Sequence, residues 1–175
     1  MGLFSKLFAK KEKEVEENPD DNRFESPYGT FYYNNDDVNS EYGYECEISW
    51  NEGDVPSCVF IETDTLDSKE YRLCYERFER IYADKDSFDY DCKSQIADFM
   101  LSHPELFPSA AERGKDKLIE YMDLGWLGIR RNGDIECTMD GCLHASHIHL
   151  LVRENGSKEI EYDDDNEMNH KKFSI

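Results

Sequence analysis

The chain lacks the long apolar run that a membrane span requires: nowhere in its 175 residues do about eighteen apolar side chains follow one another. It is poor in positive charge, with 20 Lys and Arg against 40 Asp and Glu and a net charge of −20. Phosphate recognition needs a positive surface, so nucleic-acid binding is excluded, and anionic membranes are repelled. The strong catalytic signatures are missing too. There is no phosphate-binding glycine loop, no nucleophile elbow and no His-Glu-x-x-His. The Asn and Asp residues of 34–39 lack the glycine and distal glutamate of a calcium loop. No secretory signal is read at the start of the chain. Its six cysteines (Cys46, Cys58, Cys74, Cys92, Cys137 and Cys142) are therefore expected as reduced thiols on buried faces of a cytoplasmic protein.

What is present is aromatic: 10 Phe, 11 Tyr and 2 Trp, enough large side chains to build a core at 38% hydrophobic content. The length suits one compact domain. The acidity has two readings. It keeps the protein soluble, and it steers basic molecules toward the surface and raises their association rate.

Residues 1–13 differ from the rest, with Lys6, Lys10, Lys11 and Lys13 against Glu12. Leu3, Phe4, Leu7 and Phe8 fall at helical spacing, which reads either as a frayed or docked end or as an amphipathic membrane-surface contact. Residues 14–27 read as an acidic linker, 28–162 as a single domain and 163–175 as a flexible acidic tail. Within the domain, 28–33 is strand-like, and Tyr44, Cys46, Ile48 and Trp50 alternate with Glu45, Glu47 and Ser49 as a half-wet strand. Another strand follows at 57–63. Tyr71, Cys74, Phe78 and Ile81 mark a first helix. A second begins after Asp86 with Cys92, Ile96 and Phe99 inward, and His103-Pro104 ends it. Ser109 and Glu112 have capping-box spacing for a third helix, which Gly114 weakens and Gly125 closes. Strands return from Trp126, with two-residue hairpin signals at Asn132-Gly133 and Asp140-Gly141 and a further turn at Asn155-Gly156. The predicted fold is α+β, with antiparallel strands at both ends of the domain and two to three helices between them.

The richest chemical cluster is Cys137, Cys142, His144, His147 and His149, since thiolate and imidazole both bind zinc. A two-residue turn at Asp140-Gly141 pairs Cys137 with His144. Cys137, Cys142 and His144 then share the apolar face, and His147 and His149 point the other way. Neither set completes a four-ligand site, so apolar cysteines beside surface histidines are the expectation and no cofactor is expected. Cysteine catalysis is disfavoured, because the surrounding carboxylates and apolar residues raise a thiol pKa.

Phe88-Asp89-Tyr90-Asp91, Ile96-Ala97-Asp98-Phe99-Met100-Leu101, Asn132-Gly133-Asp134-Ile135-Glu136, Asp140-Gly141-Cys142-Leu143 and Ser146-His147-Ile148 together resemble a widespread bacterial domain of unknown function found in small acidic cytosolic proteins. Its pattern is a helix, a strand, a "DG" turn, a D-G-D-L-F-W-G-H stretch and a hydrophobic strand. His147 matches its histidine and Leu143 its leucine. His144, Ala145 and Ser146 replace its Phe-Trp-Gly, so no shared site carries over. The resemblance spans about 28–162 and implies no activity.

The expected function is a non-catalytic protein-binding module, in its specific form an immunity protein that neutralises a basic toxin. Trp50, Glu45, Glu47, His147 and His149 are its candidate binding residues. The alternative is a metal-binding protein or enzyme using the 137–149 region. Denatured, alkylated under non-reducing conditions and weighed, the protein should carry six labels; protected pairs would overturn both the thiol assignment and the cytoplasmic placement.

Overall fold

The computed structural model describes residues 17–18, 23–36, 41–50, 56–63, 68–141, 148–164 and 169–175. Five strands come first: β1 (Glu17–Asn18), β2 (Arg23–Ser26), β3 (Gly29–Asp36), β4 (Glu41–Ile48) and β5 (Ser57–Glu62). Four helices follow: α1 (Ser68–Ala83), α2 (Lys85–Ser102), α3 (Ala110–Arg113) and α4 (Lys115–Tyr121). Five more strands close the chain: β6 (Asp123–Ile129), β7 (Ile135–Asp140), β8 (Ile148–Val152), β9 (Lys158–Asp164) and β10 (Asn169–Ser174). All ten strands form one sheet in chain order. The α+β class and the strand–helix–strand order are as expected, but the sheet is larger. Strands occupy 23–26 and 169–174, where a linker and a flexible tail were expected. Residues 1–16 lie outside the described residues.

Every neighbouring pair is antiparallel except β5 and β6, which run parallel with Ile61 opposite Ile129. Parallel neighbours cannot share a tight turn, and α1–α4 form the crossover between them. The alternation of each strand then sorts its side chains. Tyr44, Cys46, Ile48, Val59, Ile61, Leu127, Ile129, Cys137, Ile148, Leu150 and Ile160 are buried on the helix-covered face. Glu45, Glu47, Cys58, Phe60, Glu62, Glu136, His149 and Glu161 alternate with them along the same strands and lie on the other, open face.

Two aromatic clusters fill the space beneath the helices. Under α1, Phe24 stacks on Phe31 at 4.8 Å and on Tyr71 at 4.5 Å, and Tyr28 meets Phe78 edge-on at 5.3 Å. Under α2, Phe99 meets Phe107 at 5.8 Å and Phe173 at 4.9 Å, while Phe107 meets Tyr162 at 5.1 Å. Tyr44, Cys46, Ile48, Trp50, Phe78, Ile96, Phe99, Ile148 and Leu150 are buried as the hydrophobic periods indicate, and Ile81, expected with them, is only partly buried.

Several local expectations are corrected. The second helix starts at Lys85, one residue before Asp86, with Asp84 at its N-cap and no side-chain cap bond. The third helix is two short ones, α3 and α4, broken at Gly114, and Ser109 makes no capping bond. Gly125 lies inside β6 beside a register shift rather than closing a helix. The turn at Asn132-Gly133 is a three-residue loop rather than a two-residue one, because Arg130 N–H bonds the Asp134 carbonyl. The turn expected at Asn155-Gly156 is present and has the same length, with Arg153 N–H bonding the Ser157 carbonyl. In each loop the glycine takes positive φ, +96° at Gly133 and +83° at Gly156, and the asparagine Oδ1 accepts the N–H two residues on at 2.9 Å.

Because Phe173 packs against Phe99 and the His103 ring, the C-terminal strand is part of the core. Phe173→Ala is expected to cost roughly 2–3 kcal/mol in urea unfolding; a loss under about 0.5 kcal/mol, the level of an ordinary surface change, would restore the reading of 163–175 as a flexible tail.

Candidate functional site

The open face is organised around an arginine. Phe60 on β5 and Trp126 on β6 stack with ring centroids 6.2 Å apart, and the Arg130 guanidinium lies 5.6 Å and 5.5 Å from their centroids. Two glycines let these rings lie flat on the sheet. A Cβ at Gly43 would come within 2.5 Å of the Phe60 ring, and one at Gly128 within 2.2 Å of Trp126. Aromatic faces attract the guanidinium through their quadrupole.

From Arg130 a ladder of alternating charge crosses the strands. Arg130 Nη2 donates to Glu136 Oε2 at 2.7 Å, and its Nη1 lies 3.9 Å from Glu62. His149 Nδ1 lies 3.4 Å from Glu136, and its Nε2 lies 3.7 Å from Asp163. Lys172 on β10 pairs with Glu161 on β9. Burial alone would raise the Glu136 carboxyl, but bonds from His149 and Arg130 outweigh it and hold it below the ordinary value. The Glu136 bond raises the His149 imidazole above 6.5 against the opposing effect of burial, with further help from Asp163 and Glu161.

One end of the sheet is closed by Asp134, which is 8% exposed. Its carboxylate accepts from Arg153 Nη1 at 2.8 Å, Glu154 N–H at 3.0 Å and Asn132 Nδ2 at 3.0 Å. Burial would raise its pKa; these donors prevail and lower it.

On β3–β5 the same face carries an open concavity of about 600 Å³, whose lining includes Tyr32, Glu45, Glu47 and Cys58. Burial first, then Glu45 and Glu47, push the Cys58 thiol up to about 11. Cys46 is likewise pushed to about 11, by burial and then Glu47 and Glu25. Both stay protonated at neutral pH and are poor nucleophiles. Among the described cysteines Cys58 is the exception to the buried-thiol expectation, being partly exposed on the open face.

The candidate binding residues separate. Glu45, Glu47 and His149 share the open face. Trp50 is 1% exposed in the core against Tyr82 and Phe88 and is closed to a partner. His147, His144 and Cys142 lie outside the described residues. Cys137 is fully buried and hydrogen-bonded to Cys92, which together with burial raises its thiol pKa. It pairs with Leu150, not His144, because the β7–β8 connection is longer than two residues. Among the described residues no group of three or more His, Cys, Asp or Glu is placed to hold a metal ion. None of their helices is long and apolar enough to cross a membrane. Phe60, Trp126, Arg130 and Tyr32 were not singled out from sequence, although Phe60, Trp126 and Arg130 all sit at alternate strand positions facing one way.

Fold and face together define an α+β protein with a one-sided ten-stranded sheet and an acidic, aromatic-centred open surface. No family model, curated protein or solved structure matches the chain.

The His149 titration follows from this geometry. Its folded pKa is raised, so its stabilising contribution is complete below about pH 6.5 and is lost as pH rises through the higher folded value. An NMR titration should place the His149 midpoint above 6.5, and Glu136→Gln should bring it down. A midpoint at or below the free-imidazole value would remove the ladder as an ion-paired structure.

Proposed function

We propose that the chain is a non-catalytic protein-binding module that meets a basic protein through the open face of its sheet. Its specific form would be an immunity protein neutralising a basic toxin. The observation that carries this reading is the one-sided helix cover, which leaves an acid-bearing sheet face to solvent. Antiparallel sheets with one wet face usually present scattered polar residues. Here that face combines carboxylates with the exposed Tyr32 ring, a composition suited to steering and then holding a cationic surface. The net charge of −20 supplies the long-range field. The raised pKa values of Cys46 and Cys58 weigh against a thiolate enzyme.

The test is binding to the product of the neighbouring gene, followed at low and high salt. Association should slow several-fold as salt rises, while dissociation changes little. Salt-insensitive binding, or no binding, would leave solubility as the sole use of the acidity.

A further inference from the structure

We propose that the concavity over β3–β5 seats a lysine or arginine side chain of the basic protein partner, its cation above the Tyr32 ring and between Glu45 and Glu47. This deepens the reading above and rests on it.

The open face divides into two electrostatic halves. Across β6–β10 Glu136 is answered from within by Arg130 and His149, Glu159 by Arg153 at 2.5 Å and Glu161 by Lys172. Only Asp140, at the end of β7 opposite Asp123, stands without an ion pair among the described carboxylates of these strands. Glu62, at the border, accepts the Arg131 N–H at 2.8 Å and lies near Arg130. Glu45 and Glu47 differ. Among the described residues neither makes an ion pair or a side-chain hydrogen bond. They stand two positions apart on one face of β4, roughly 7 Å from each other by strand geometry. Unanswered carboxylates side by side repel, and a cation between them would relieve both.

The aromatic side chains divide in the same way. Phe60 is 3% exposed beneath its arginine, whereas Tyr32 is 55% exposed. Tyr32 lies directly opposite Glu45, and Glu47 directly opposite Cys58, so ring, carboxylates and concavity are contiguous. The chain itself shows what completes such a place. Arg130 sits on Phe60 and Trp126 with Glu62 and Glu136 at its flanks. The β3–β5 half has the aromatic face and the paired carboxylates of that arrangement; Arg23 on β2 stands opposite Tyr32, but among the described residues neither Glu45 nor Glu47 is ion-paired to it. A concavity of about 600 Å³ admits a long side chain with its aliphatic stem laid along the sheet.

The test uses the full chain and a capped Gly-Lys-Gly-Lys-Gly peptide, with the lysine-acetylated peptide as its uncharged counterpart. The lysine peptide should shift backbone amide resonances on β3–β5, and the acetylated one should not. Tyr32→Ala should weaken binding about threefold. The double change Glu45→Gln with Glu47→Gln should weaken it about tenfold. Glu105→Gln with Glu120→Gln, an equal loss of charge on the helical side, should leave the affinity within about twofold. Thermal melts check that each variant is folded. Equal losses in the two double variants would assign binding to the general field and overturn the site. Shifts confined to β6–β10 would move it to the other half. Spermidine binding at Tyr32 more tightly than the peptide would give the concavity to a free amine instead of a protein. If the neighbouring gene product binds with salt dependence while Tyr32 and the two glutamates are indifferent, this inference fails and the broader reading survives; if neither that product nor any basic peptide binds, both fall.

Discussion

The parallel pairing of β5 with β6 is the constraint on which the rest of the architecture depends. Every other strand joins its neighbour through a short reversal or a loop, but two parallel neighbours must be connected across the sheet. A single crossover carries its helices over a single face. All four helices therefore gather on one side, and nothing in the described chain returns to cover the other. The exposed acidic surface is thus a consequence of connectivity before it is a matter of composition.

Each face solves a different problem. The helix side has to bury large area, and it does so with rings at 4.5–6 Å in edge and stacked contacts, one cluster on each side of the β5–β6 junction. Ser57 and Thr63 are buried there as well, and Lys93 brings a charge, 8% exposed and held 2.6 Å from Asp89 on the same helix. The open side has to keep like charges apart across a wide sheet. Over β6–β10 it does so by alternating their sign, Arg130 to Glu136 to His149 to Asp163, so each strand compensates its neighbour.

The sequence reveals what depends on short-range periods. Tyr44, Cys46 and Ile48 read as an inward row, and Tyr71, Cys74 and Phe78 as a helix stripe; both are buried as read. The α+β class follows from the segregation of those periods. What stayed hidden depends on partners far away in sequence. Asn169–Ser174 carries little apolar signal beyond Phe173, and it becomes a strand because β9 offers a ladder and Phe99 a contact. Trp50 was legible as the end of the inward row, but its enclosure by Tyr82 and Phe88 from two helices, which closes it to a partner, was not. The length of the β7–β8 connection decided the Cys137 register, and a local turn signal at Asp140-Gly141 could not report it. Glu45 and Glu47 were legible as outward residues. Their lack of internal partners was not, because Arg130 and Lys172 reach their own carboxylates only after the sheet assembles.

The chain-order sheet also divides the entropy of folding unevenly. Within each five-stranded ribbon a strand meets the one just made, so little chain has to be immobilised before a ladder forms. Only the Ile61–Ile129 pairing closes a long loop, and the cost of that closure grows merely with the logarithm of its length. The molecule is therefore two locally zipped ribbons and one clasp. Fraying from β1 or from β10 opens a single strand at a time, and from either end the clasp is the last pairing to be reached.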